Sequence, residues 1–148
     1  MRVTLDGRRL EPSDISIRLA SGGHPPALIL RAGGHADFLP TPGGMLVGAL
    51  PDARFYTAAT TLAPGETLLL YADGLTEART GPRRDSLYGE DALLEFTTRH
   101  APASAREVII ALTGLLAGFG DSPDAAALLA LGVPSARPHP GPATNPPR

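Results

Sequence analysis

The run Thr67-Leu68-Leu69-Leu70-Tyr71 constrains the fold more than any other part of this chain. It is apolar at successive positions, so both faces of the strand it forms must be covered. Such a run belongs in a buried central strand and not at a solvated edge. Pro64-Gly65 turns the chain into it, and it runs out into Ala72-Asp73-Gly74.

The residues before it are β-rich. Val3-Thr4-Leu5 and Ile15-Ser16-Ile17-Arg18-Leu19 alternate apolar and polar, flanked by the turn signals Asp6-Gly7 and Glu11-Pro12-Ser13-Asp14. Ala27-Leu28-Ile29-Leu30 is a short apolar strand ended by Gly33-Gly34, and alternation returns from Phe55 to Leu62. After Gly81-Pro82 the period becomes helical. Glu90 to His100 carries Leu93, Leu94 and Phe96 at helical spacing. Ser104-Ala105-Arg106-Glu107 is a capping box that opens a second helix, with Val108, Leu112, Leu115, Leu116 and Phe119 as its apolar stripe. Ala126 to Val133 reads as a last buried strand. Strands, two helices and a final strand predict an α+β fold, with helices covering one face of a largely antiparallel sheet.

Composition excludes several function classes. The 148 residues amount to one domain, and a formal net charge of -2 provides no footprint for nucleic acid or an anionic membrane. Without cysteine there is no disulfide, thiolate nucleophile or thiolate metal site. Neither a signal-peptide core nor an apolar stretch of about 18 residues is present, so a cytoplasmic protein is expected. From Pro134 onward the Pro-rich tail buries too little apolar surface to fold, which sets expected boundaries at 1–133 for the domain and 134–148 for a disordered tail.

Two carboxylates stand where chemistry is expected. Asp73 follows the central strand and Asp124 precedes the last one. Antiparallel pairing of those strands brings both aspartates to one sheet edge. Two carboxylates about 4 Å apart repel by roughly 4 kcal/mol at an effective dielectric of 20. A hard divalent cation relieves that repulsion, and an all-oxygen site suits Mg²⁺ or Mn²⁺. The alternative is two solvated turn residues. His24, before Pro25-Pro26, is either a turn histidine bonding its own loop or a further catalytic candidate. Arg83 and Arg84 are either phosphate contacts or a solvated pair.

Several blocks together resemble the SpoIIE-like branch of the PPM-type, metal-dependent bacterial protein serine/threonine phosphatases. Ala20-Ser21-Gly22-Gly23-His24-Pro25-Pro26-Ala27-Leu28-Ile29-Leu30 is similar to the family's Ala-Gly-His-Pro-Pro loop and following strand. Gly43-Gly44-Met45-Leu46-Val47-Gly48, Leu62-Ala63-Pro64-Gly65-Glu66, Tyr71-Ala72-Asp73-Gly74 with Thr76-Glu77-Ala78, and Tyr88-Gly89-Glu90 follow in family order. Asp124-Ala125-Ala126-Ala127-Leu128-Leu129 is similar to the family's Asp-Asp-x-Thr-Leu-Leu strand. The resemblance implies an α-β-β-α sandwich with a binuclear Mn²⁺ or Mg²⁺ centre at one end, Asp73 and Asp124 each ligating metal. It further implies that metal-bound water attacks a phosphoserine or phosphothreonine directly. The implied substrate is a phosphorylated protein such as an anti-sigma-factor antagonist, in sigma-factor or stress signalling.

The family's first block, a Gly-Gly-Asp-type strand with an Asp-Val-x-Gly-His-Gly turn and a helix, has no counterpart in these residues. That block carries the aspartate that bridges both metals, so the resemblance covers the C-terminal part and implies an incomplete ligand set. Ala125 and Ala127 stand where the family has Asp and Thr, and Gly22 where it has Ala. Three readings stay open: a phosphatase with its first block upstream or on another chain, impaired as this chain alone; a non-catalytic PPM-like binding module; or a gene remnant. An uncovered sheet face makes self-association an expectation too.

Overall fold

The computed structural model describes residues 2–6, 14–41, 48, 51–52, 54–83, 85–119 and 126–135, with side chains from residue 14 onward. In chain order the elements are β1 (Arg2–Asp6), β2 (Ile15–Ala20), β3 (Ala27–Arg31), β4 (His35–Leu39), β5 (Thr57–Leu62) and β6 (Thr67–Tyr71). There follow the one-turn α1 (Asp73–Thr76), β7 (Arg79–Thr80), β8 (Ser86–Leu87), α2 (Gly89–His100), α3 (Ala105–Gly118) and β9 (Leu128–Gly132). One sheet has the order β1-β2-β5, a second β4-β3-β6-β9, and β7 pairs with β8 as a separate hairpin. Every described pair is antiparallel.

The central run does what its composition demands. All five residues of β6 are buried between β3 and β9. Leu69 and Tyr71 join Leu28, Leu30, Leu93, Val108 and Leu112 in a core between the four-stranded sheet and helices α2 and α3. Leu68 and Leu70 face the other way, meeting Ile17, Leu19, Ile29 and Leu62 in a second core between the two sheets. Burying a leucine stabilises by roughly 1.5–3 kcal/mol relative to exposure. One strand feeding two cores therefore sets the layer order: helices, four-stranded sheet, three-stranded sheet. This is an α+β sandwich of two antiparallel sheets with the helices on one outer face, the class the sequence predicts.

Local signals explain the rest. Gly34 (φ +84°) and Gly65 (φ +84°) occupy left-handed turn positions open to glycine. The Ser104 hydroxyl accepts the Glu107 N–H (3.3 Å) while the Glu107 carboxylate accepts the Ser104 N–H (2.7 Å), so the capping box starts α3 as its sequence predicts. Val108 and Leu112 are the buried part of the expected stripe.

Three expectations shift. The last strand is not buried: β9 is the edge of its sheet, and Leu129 on the inter-sheet face is 52% exposed. The facing sheet is one strand narrower, so apolar composition here does not mean coverage. Phe55 and Tyr56 precede β5 and are exposed. Residues 73–76, expected as a glycine turn, form a helical turn instead. The turn signals near residues 7–13, the block at 43–47, Arg84, Asp124, Ala125 and residues 136–148 lie outside the described residues. Among the described residues, no helix is long and apolar enough to cross a membrane.

Candidate metal centre

Strand pairing carries β6 to the site. Tyr71 pairs with Leu128, and the Ala72 N–H donates to the Ala127 carbonyl at 3.0 Å, extending the β6–β9 ladder one step past the strand. The chain then turns. Leu75 N–H donates to Ala72 O (3.0 Å), Glu77 N–H to Asp73 O (2.8 Å) and the Thr76 hydroxyl to Asp73 O (3.1 Å). Leu75 is fully buried and anchors this turn in the helix-side core. Asp73 is thereby held at the strand exit with its side chain exposed.

The partner strand reaches the same edge. Ala126 is the last described residue before Ala127, and Asp124 stands two positions earlier in the sequence, outside the described residues. The antiparallel pairing expected of the two flanking strands is present.

His24 arrives at this edge by a different route. β3 runs antiparallel to β6 with Leu28 opposite Leu69, so the loop entering β3 lies at the end where β6 exits. Ser21, buried, accepts the His24 N–H at 3.1 Å and donates to the His24 carbonyl at 3.2 Å. A serine hydroxyl therefore holds the loop through the His24 backbone, while the His24 side chain is exposed. Arg83 is exposed in the β7–β8 turn.

Two further residues at this edge were not site candidates in the sequence. Tyr71, 3% exposed, has a buried hydroxyl without a hydrogen-bond partner among the described residues. Burial first, then the carboxylates of Glu90 and Asp73, push its pKa up, so the phenol stays protonated at neutral pH. Glu90 lies in the first turn of α2. In the sequence Tyr71 is an apolar position of the central run and Glu90 a helix start, each inside a family-like block but with no site role expected of it. Among the described residues, no group of three or more His, Asp or Glu side chains is placed to hold a metal. Among the described residues, the exposed Asp73 carboxylate at this edge is a hard oxygen donor of the kind that Mg²⁺ and Mn²⁺ take.

The family of stage II sporulation protein E (SpoIIE) matches residues 1–134. The chain belongs to the SpoIIE family. Protein IcfG of Synechocystis sp. is 31% identical over 94 residues, 64% of this chain and 14% of that protein. Among solved structures, the RsbU and RsbW domains of Rv1364c from Mycobacterium tuberculosis share 26% identity at a TM-score of 0.63, over 86% of this chain and 34% of that one. The manganese-presoaked SpoIIE phosphatase domain of Bacillus subtilis gives 13% and 0.62, over 93% and 56%. The PP2C domain of SiaA from Pseudomonas aeruginosa gives 21% and 0.57, over 80% and 51%. The last two likenesses are of fold. This SpoIIE-family chain thus shares its fold with phosphatase domains, while spanning 14% of IcfG and 34–56% of these structural relatives.

Proposed function

We propose that this chain is the C-terminal part of a metal-dependent protein phosphoserine/phosphothreonine phosphatase, with Asp73 and Asp124 as its contribution to a Mn²⁺ or Mg²⁺ centre. The observation that carries this reading is the β6–β9 ladder, which ends at Ala72 and Ala127 beside the exposed Asp73. The Asp73 side chain fits such a group: it is an exposed carboxylate at the end of a fully buried strand. A divalent cation bound there supplies Lewis acidity toward a phosphoryl oxygen and a lowered pKa for bound water. The chain's own part is to fix the carboxylate: Leu75 in the core and the hydrogen bonds to Asp73 O hold its backbone, and the Ser21-tied loop presents His24 at the same end of the sheet. The substrate is a phosphorylated regulatory protein, such as an anti-sigma-factor antagonist in the cytoplasm. The domain spans 1–133, followed by a Pro-rich tail.

One observation favours a second reading, a non-catalytic binding module. Ala125 and Ala127 stand where the resembled family has Asp and Thr. Manganese-dependent hydrolysis of an aryl phosphate by the purified chain separates the two. The phosphatase reading expects turnover that Asp73→Asn abolishes, together with a metal-induced rise in melting temperature that the same variant loses. No turnover at millimolar metal would leave the binding module, and an undiminished shift in Asp73→Asn would place the cation elsewhere.

A further inference from the structure

The geometry points to a two-fold dimer of this chain, joined through the outer edge of β9 and the uncharged face of α3 above it.

β9 ends its sheet without protection. Among the described residues nothing pairs with its far side. The strand at the other end of that sheet, β4, carries His35 and Asp37, charges of the kind that keep edges apart. Residues 126–133 have no polar side chain at all. Residues 108–118 of α3 carry no charge either, and Ile110 (59%), Gly114, Ala117 and Gly118 are exposed there. A two-fold axis sets one surface against itself, so a charge on it meets its own copy. This face is free of that cost.

Register selects the second copy. The Ala127 carbonyl and the Val133 N–H bond toward β6. By alternation, Leu128, Ala130 and Gly132 direct their N–H and C=O groups outward. Antiparallel pairing centred on Ala130 engages all three, with Ala130 opposite itself and Leu128 opposite Gly132. It also sets Leu129 opposite Leu131 of the second copy. Leu129 is the 52% exposed leucine of the inter-sheet face. Beside Leu131 lies an apolar cleft of about 120 Å³, lined further by Ile15, Ile17, Leu62 and Val133. A space of that order takes a hydrocarbon group. Each copy thus offers a leucine and a cleft to the other, two positions apart on one strand. Another protein would have to reproduce that pattern, whereas a second copy has it by symmetry.

The helices allow the approach. α3 packs on β6 as well as on β9, so its axis runs between them. The second copy's α3 then lies about 10 Å away, an ordinary spacing for packed helices. Gly114 and Gly118 have open space where a side chain would stand, which suits a close neighbour. Leu128 marks the Asp73 end of β9, so the two Asp73 edges stand at opposite ends of the joined sheet. The dimer therefore stands whether or not the chain is a phosphatase.

Sedimentation equilibrium of the full chain is the test. One strand and one helix make a small interface, so monomer and dimer should exchange at about micromolar concentration, with nothing larger. Leu129→Glu should weaken association at least about tenfold, because it buries an unpaired carboxylate. Position 129 is solvated in the monomer, so the melting temperature of dilute Leu129→Glu should match the parent's. Leu87→Glu, at a leucine of similar exposure on the β7–β8 hairpin, should leave the dimer intact. Disulfides read the register, because the chain has no cysteine of its own. Leu129→Cys mixed with Leu131→Cys should crosslink on oxidation, their Cα atoms standing about 4.5 Å apart. Leu129→Cys alone should not. A dimer indifferent to Leu129→Glu, open-ended association, or crosslinking of Leu129→Cys by itself overturns the proposal. So does a chain that stays monomeric at every concentration, which leaves the edge to a strand from another polypeptide.

Discussion

Gly132 lies so close to Ala105 that a Cβ on the glycine would stand 3.2 Å from the Ala105 nitrogen and 3.3 Å from its Cβ. The same added atom would meet the Thr67 hydroxyl at 3.1 Å. That hydroxyl donates to Ala103 O at 2.7 Å, tying the central strand to the segment entering α3. Edge strand, central strand and helix start thus converge on a missing side chain.

Gly132→Val should therefore destabilise through overpacking, by about 1–3 kcal/mol, as backbone and short side chains give way poorly. The urea midpoint reads this directly. A midpoint equal to the parent's would show that the start of α3 moves off β9 at no cost.

Ser104→Ala should cost about 1 kcal/mol by removing the cap of α3. Glu107 gives the same motif a pH signature. The Ser104 hydroxyl first, then the Ser104 N–H, hold its carboxyl below the ordinary glutamate value. A depressed carboxylate contributes stability above its unfolded pKa and loses it as pH falls through the folded value. Melting temperature in Glu107→Gln should accordingly decline less than the parent's from about pH 4.3 downward, where glutamate titrates in unfolded chains. Parallel acid limbs would rule out this contribution.

The unpartnered phenol of Tyr71 reverses the usual direction of a core substitution. Leaving a buried hydroxyl unsatisfied costs about 1–3 kcal/mol, and phenylalanine keeps the ring while removing the oxygen. Tyr71→Phe should raise the melting temperature of the metal-free chain. A fall would mean that the hydroxyl contributes a favourable interaction to the fold.

At the opposite end of the same strand pair, Glu66 is the constrained charge. Its carboxylate accepts the Ala63 N–H at 3.0 Å and the Arg31 guanidinium at 3.1 Å, and Arg31 also reaches Asp37 at 3.3 Å. Glu66→Ala strands the β5–β6 turn donor and should cost about 1–3 kcal/mol. Arg31→Ala should cost less, since its loss leaves Glu66 the turn N–H. Chemical denaturation of both variants and their double mutant measures the coupling.

The sequence was legible where one signal had one physical meaning. The apolar run at 67–71, the capping box at Ser104 and the glycine turns at Gly34 and Gly65 each appear where expected. β4 was not anticipated, because His35-Ala36-Asp37-Phe38-Leu39 mixes charge into an edge strand whose Arg31–Asp37–His35 contacts suit solvent. β9 misled in the opposite way: its leucines signal burial, but coverage depends on how many strands the facing sheet has. The place of Asp73 at the exit of the central strand was legible from its motif. Tyr71 and Glu90 were not, because their relation to Asp73 is made by the packing of α2 against the four-stranded sheet and by no spacing along the chain.

The placement of β6 between β3 and β9 also has a kinetic consequence. A chain made from its N-terminus has β3 and β6 available early, whereas the partner of Thr67, Gly132, follows only after both long helices. Until then Leu69 and Tyr71 have an open flank, although the helices that cover them have already been made. Long-range pairing of this kind makes folding slow, and closure waits for loop entropy to be overcome. A nascent chain halted before Leu128 should therefore be more protease-sensitive than the full chain, above all along β6, whose flank toward β9 is open.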